Sequence, residues 1–150
     1  MPETRRLLAA RAILNSMPLV MRTIGRAMRL GAGDSSPLLP QQYRLLGAIA
    51  RKPRTLGAIA RIQGVTPATA TTLVTTLENR CWVTREHDQE DRRRIVVSLT
   101  SEGERVLSAS QRVAETAMAD LLAPLTPEQL QRLLDGLGVL GDLGGGETPE

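Results

Sequence analysis

The residues best suited to recognition chemistry sit in one run, Asp91-Arg92-Arg93-Arg94. Adjacent guanidiniums fit phosphate oxygens and the negative potential of a narrow minor groove, and the carboxylate of Asp91 can orient one of them. Taken alone, such a run is more often a solvated turn. Upstream, Ala68, Thr69, Thr71, Thr72, Thr75 and Thr76 fall on the outward side of a helical pattern and bear no charge. Their hydroxyls can bond bases or phosphates and their methyls can meet the thymine methyl, but a bidentate Arg-to-guanine contact is unavailable there. Catalytic chemistry has little to draw on. His87 is the sole histidine, and its neighbours Glu86 and Asp88 would have to converge with it on one ion, which adjacent residues rarely do. Cys81 is the sole cysteine, so neither an internal disulfide nor a resolving thiol exists. Neither an enzyme nor a cofactor is expected.

Composition narrows the class further. The chain has 150 residues, 41% hydrophobic and 23% charged, which is enough to bury a core and argues against wholesale disorder. Arg5, Arg6, Arg11, Arg22 and Arg26 interrupt the N-terminal apolar pattern, so neither a signal peptide nor an uninterrupted membrane span of about 18 residues is expected. A cytoplasmic protein without a membrane partner follows. The net charge of +3 hides an asymmetry: residues 1–43 carry six basic and two acidic side chains, residues 44–94 ten and five, and residues 95–150 three and nine. A basic middle followed by an acidic end suits a chain whose centre meets a polyanion.

The elements that must position these residues can be read from periodicity. Leu7, Ala10, Leu14, Met17, Met21, Ile24 and Met28 recur every three or four positions and predict a first helix over about residues 5–30, kinked or split at Pro18. Loop formers fill Gly31 to Pro37, and Pro40 opens a second helix ending near Ala50. Thr55 caps a short third helix that Gly64 ends, and Thr66 with Pro67 opens the next, whose inward stripe is Ala70, Leu73, Val74 and Leu77. Two short helices around a tight turn make a helix-turn-helix, whose second member lies in the major groove of DNA. Val83 to Arg85 and Ile95 to Leu99 predict a hairpin, with the charged stretch His87 to Arg94 as its tip. A fifth helix follows, capped by Thr100 or Ser101 with Ser101 and Glu104 as a capping box, and terminated at Pro124. Thr126-Pro127-Glu128-Gln129 starts a last, leucine-striped helix; the glycine-rich end should be disordered. Trp82 is expected as a core anchor beneath the hairpin.

The stretch from Thr55 to Gly103 resembles the MarR family of winged helix-turn-helix regulators. The matching segments are Thr55-Leu56-Gly57-Ala58-Ile59-Ala60, Gly64-Val65-Thr66, Leu73-Val74-Thr75-Thr76-Leu77-Glu78 and Asp91-Arg92-Arg93-Arg94-Ile95-Val96-Val97-Ser98-Leu99-Thr100-Ser101-Glu102-Gly103. The resemblance implies a mainly α fold with a small β-hairpin wing, and N- and C-terminal helices that interlock two subunits. It divides the chain into residues 1–36 (N-terminal dimerisation region), 37–100 (DNA-binding lobe), 101–143 (C-terminal dimerisation helices) and 144–150 (tail). It also implies that Arg93 reaches the minor groove while Asp91 holds it. Cys81 stands where the family usually has glycine, so this position either accepts left-handed strain or reshapes the turn.

Together these readings predict a homodimer on double-stranded DNA, a repressor of neighbouring genes that binds a palindromic operator and is released by a small-molecule effector in a pocket lined by Met, Leu and Arg. Base contacts are expected from Ala68, Thr69 and Thr72, phosphate contacts from Arg54, Thr55, Thr66, Thr76 and Arg85, and minor-groove contacts from Arg92, Arg93 and Arg94, with Asp91 orienting the wing. Two alternatives stand beside this reading. One is a helical protein-interaction scaffold without specific DNA binding; the other is a redox-sensing regulator that uses Cys81.

Overall fold

The computed structural model describes residues 2–31 and 38–144. In chain order the elements are α1 (Pro2–Gly31), α2 (Pro40–Arg51), β1 (Arg54–Thr55), α3 (Leu56–Gln63), α4 (Pro67–Asn79), β2 (Val83–His87), β3 (Ile95–Leu99), α5 (Ser101–Leu122) and α6 (Pro127–Gly144). The loop expected through Gly33, Asp34, Ser35, Ser36 and Pro37 lies outside the described residues, as does the expected tail beyond Gly144, which itself closes α6.

Local chemistry sets most boundaries. Thr55 accepts a hydrogen bond from the Ala58 N–H at 3.2 Å and so caps α3, while Gly64, at φ 64°, ends it in the left-handed conformation that glycine adopts without penalty. Thr66 caps α4 in the same way through the Thr69 N–H, with Pro67 at the first helical position. At the start of α6, the Thr126 hydroxyl accepts from the Gln129 N–H while the Gln129 side chain accepts from the Thr126 N–H, the reciprocal box its sequence predicts. The start of α5 differs from expectation. Thr100 is its cap, accepting from the Gly103 N–H at 3.0 Å, and the predicted Ser101–Glu104 box gives way because Ser101 is already the first helical residue.

The helix α1 runs through Pro18 without dividing, and lies along α5. A proline removes one backbone donor, a loss that the helical bonds on either side outlast here. Among the described residues of α1 only Met28 is buried, so most of the predicted apolar stripe, including Leu7, Leu14, Met17 and Met21, faces outward. By length and composition alone Glu3–Gly31 is also long and apolar enough to cross a membrane.

The core belongs to the middle of the chain. Leu45, Leu46 and Ile49 of α2, Ile59 of α3, Val74 and Leu77 of α4, and Val83 and Val97 of the sheet pack as one buried cluster with Trp82 and Leu107. Fully burying a side chain of this kind contributes about 1.5–3 kcal/mol, so these positions fix the relative placement of α2, α3 and α4. The sheet has three strands in the order β1-β3-β2, all antiparallel, with Arg54 opposite Val97 and Arg85 opposite the same Val97 from the other side. Central β3 therefore ties the wing to the start of the helix-turn-helix. The strand β1 was not expected from sequence, since two residues before a helix cap give no periodicity to read.

The arms are joined to this lobe at Gly103. A Cβ there would collide with the Trp82 carbonyl oxygen, so the first turn of α5 seats directly on the turn that follows α4.

Candidate nucleic-acid interface

The helix α4 buries Ala70, Val74 and Leu77 and exposes Pro67, Ala68, Thr69, Thr71, Thr72, Thr75 and Thr76. None of these exposed residues is ionisable. Its hydroxyls have defined partners: Thr71 donates to the Pro67 carbonyl, Thr72 to Ala68, Thr75 to Thr71 and Thr76 to Thr72, at 2.9–3.2 Å. At the helix start, Thr66 and Thr69 share a hydroxyl–hydroxyl bond of 2.9 Å, and Thr66 also accepts from the Thr69 N–H.

The wing leaves α4 through a well-formed turn. The Cys81 N–H donates to the Glu78 carbonyl and the Trp82 N–H to the Leu77 carbonyl, the bond pair that closes a helix on a left-handed residue. That residue is Cys81, at φ 59°. Of the two outcomes open to a cysteine at a glycine position, the chain accepts the left-handed conformation and leaves the thiol exposed. Trp82 is buried as expected, with the Arg80 guanidinium 4.8 Å from its ring centroid.

At the wing tip Asp91 grips Arg93. One carboxylate oxygen accepts from both the backbone N–H and the Nε of Arg93 at 3.1 Å, while the Arg93 side chain keeps 92% of its surface exposed. These bonds, the side-chain one foremost, hold the Asp91 carboxyl below its ordinary pKa, with the charge of Arg94 adding to them. The loop is further ordered by Asp88, which accepts from the Glu90 N–H, and by His87, whose ring meets the Arg92 carbonyl at 2.8 Å. Arg92 and Arg94 are exposed beside Arg93.

Arg85 and Thr55 are engaged more deeply than their sequence suggests. The Arg85 guanidinium donates to the Thr71 carbonyl and the Thr75 hydroxyl, and its Nε lies 3.4 Å from a Glu78 carboxylate oxygen. It therefore straps β2 to the Thr71–Thr75 flank of α4. No spacing rule exposes such a tertiary bond, because Arg85 and its partners lie on different elements. Thr55 is half-buried, with its hydroxyl serving as the α3 cap, and Arg54 reaches the Ala48 carbonyl at 3.3 Å.

A cleft of about 460 Å³ opens between α1, α5 and the turn after α4, lined among others by Met28, Leu38, Arg80, Trp82, Arg105 and Ser110. Arg105 pairs with Glu102 there, which holds that carboxyl below its ordinary pKa. Among the described residues no cluster of three or more His, Cys, Asp or Glu side chains could hold a metal ion.

Comparison with known proteins follows the same outline. A model of the MarR family matches residues 36–94. The transcriptional regulator HosA of Escherichia coli O127:H6 is 38% identical over 94 residues, which cover 61% of this chain and 69% of HosA. Among solved structures, RV1404 of Mycobacterium tuberculosis superposes with a TM-score of 0.79 at 19% identity, over 95% of this chain and 96% of that one. The transcriptional repressor CouR, solved bound to a 23-mer DNA duplex, gives a TM-score of 0.69 at 22% identity with 89% of each chain covered.

Proposed function

Since this chain belongs to the MarR family of transcriptional regulators, we propose that it acts in the cytoplasm as a homodimeric repressor, each subunit placing α4 in a major groove and its wing in the adjacent minor groove of a palindromic operator. The observation that carries this reading is the wing tip. An arginine almost wholly exposed, yet fixed by two bonds to Asp91, is prepared for a narrow groove at little further cost in side-chain freedom. The strap from Arg85 holds that wing against α4, so the two reading elements reach the duplex together. Arg92 and Arg94 add charge for the flanking phosphates, and the reading is supported by CouR, a protein of similar fold solved bound to a DNA duplex.

A second copy follows from the apolar surface of α1 and α6. Leu14, Met17 and Met21 on one and Leu137, Leu140 and Leu143 on the other are exposed in the single chain, a pattern that pairing of these helices would bury. Two copies then present two reading helices about one helical turn apart.

The cleft between α1, α5 and the Trp82 turn supports ligand control of this geometry. It combines apolar Met28, Leu38 and Trp82 with Arg80 and with Arg105 in its pair with Glu102, which suits a small polar compound with an apolar body, and it lies where the arms meet the lobe. A ligand that favours a spacing unsuited to the operator would release the DNA.

Arg93→Ala tests the reading directly. In a gel-shift experiment on the DNA upstream of its own gene, the variant should remain dimeric and lose retardation at moderate salt. Unchanged binding would remove the wing from the interface.

A further inference from the structure

The threonines around α4 fall into two chemical groups, according to where their hydroxyl protons go. At the caps, Thr55 and Thr66 use oxygen lone pairs to receive backbone N–H groups, so Thr55, and the bonded pair Thr66–Thr69, each retain one proton for an outside acceptor. Along the helix body the polarity is reversed. Thr71, Thr72, Thr75 and Thr76 each spend their proton on the carbonyl four residues back, and Thr75 also receives the Arg85 guanidinium. What Thr72 and Thr76 have left for a ligand is lone pairs and a methyl group, and Ala68 beside them has a methyl alone.

Phosphate oxygens accept and do not donate, so the cap threonines suit the backbone and the body threonines do not. Thr76, expected from sequence to meet phosphate, belongs by this criterion with the base-reading residues. Guanine offers its major-groove edge as two acceptors, N7 and O6, and hydroxyls whose protons are held by helix carbonyls bond to it only by giving up those bonds. Adenine and cytosine present an amino group that such a surface can receive, and thymine alone adds a methyl that meets Ala68, Thr72 and Thr76 by apolar contact.

Resting on the DNA-binding reading above, we infer that the Ala68, Thr72 and Thr76 face of α4, beyond the proton-retaining Thr66–Thr69 pair at its start, is a proton-accepting, methyl-lined reading face, which selects thymine-rich segments by their methyl groups and gives no bond to purine N7. This sets it apart from a reading helix that recognises guanine through arginine, and it locates the sequence preference of the protein in apolar contact.

Base analogues separate the two modes. Duplexes with half-sites randomised about one helical turn apart would be selected on the full-length protein. The winning duplex would then be remade with uracil for thymine, or with 7-deazapurines for purines, at the positions beneath Ala68, Thr72 and Thr76. Uracil removes only the methyl and should weaken binding by about fourfold at each contacted position; 7-deaza substitution should change nothing. Thr72→Ser, which keeps the hydroxyl and drops the methyl, should abolish the uracil effect at one position while thermal melting shows the fold intact. Tolerance of uracil together with loss on 7-deaza substitution would overturn the inference and leave the DNA-binding reading in place. Failure to retain any duplex in a salt-dependent manner would overturn both.

Discussion

In the winged lobe Leu46, Ile59, Ala70, Val74 and Val97 have no exposed surface, whereas in α1 and α6 Leu14, Leu134, Leu137 and Leu143 keep more than half of theirs. Both regions are built from apolar residues at helical spacing. The lobe closes on itself because α2, α3, α4 and the sheet approach one another from several directions around β3. The arms are long and nearly one-dimensional, so a single chain can cover only the strip where α1 meets α5. The contrast teaches that the same pattern gives a closed core or an open apolar face according to what the topology brings opposite it.

The sharpest way to break this contrast is to charge the open face and leave the closed one untouched. Leu137→Asp combined with Leu140→Asp alters two exposed positions of a helix in which no described side chain is buried. If α6 pairs with a second copy, sedimentation should show a monomer while the lobe keeps its melting transition. Duplex affinity should fall by about a hundredfold, because each half-site is then bound alone. A dimer of unchanged mass would mean that the apolar surface of α6 serves something else.

Where lobe and arm join, the expected effect is smaller and bears on stability. The Cβ added by Gly103→Ala would meet the Trp82 carbonyl, part of the backbone and unable to swing aside, so α5 must shift. Overpacking of this kind costs about 1–3 kcal/mol, to be read from urea denaturation. Because the cleft is lined by residues from both sides of this contact, duplex affinity should fall as well. Stability within a few tenths of a kcal/mol of the parent would show that the junction is looser than its geometry implies.

Most of this architecture was legible in the chain. Thr55, Gly64, Thr66 and Thr126 mark their boundaries through bonds made within four residues, and such short-range chemistry can be read from neighbours alone. The inward stripe of α4 was equally clear; spacing alone paired Asp91 with one of three arginines, and the resemblance to the MarR family singled out Arg93. What escaped depends on distant partners. The short strand β1 exists only because β3 lies beside it, and the Arg85 strap only because β2 returns past α4. The direction of each threonine proton was hidden for a different reason, since the sequence supplies the hydroxyl but the helix decides which carbonyl receives it.

The smallest effect concerns the turn between α4 and the wing. Cys81 holds φ 59°, a conformation in which a Cβ crowds the following carbonyl and costs roughly 1–2 kcal/mol. Glycine carries no such penalty, though it adds freedom to the unfolded chain that offsets part of the gain. Cys81→Gly should therefore raise stability by about 0.5–1 kcal/mol in thermal or urea melts, with the bonds from Cys81 and Trp82 to the end of α4 preserved. Cys81→Ala, which keeps the Cβ and discards the thiol, should be neutral. The pair of variants separates backbone strain from thiol chemistry. Equal destabilisation by both would show that the sulfur itself holds the turn and that the left-handed backbone is not the limiting feature.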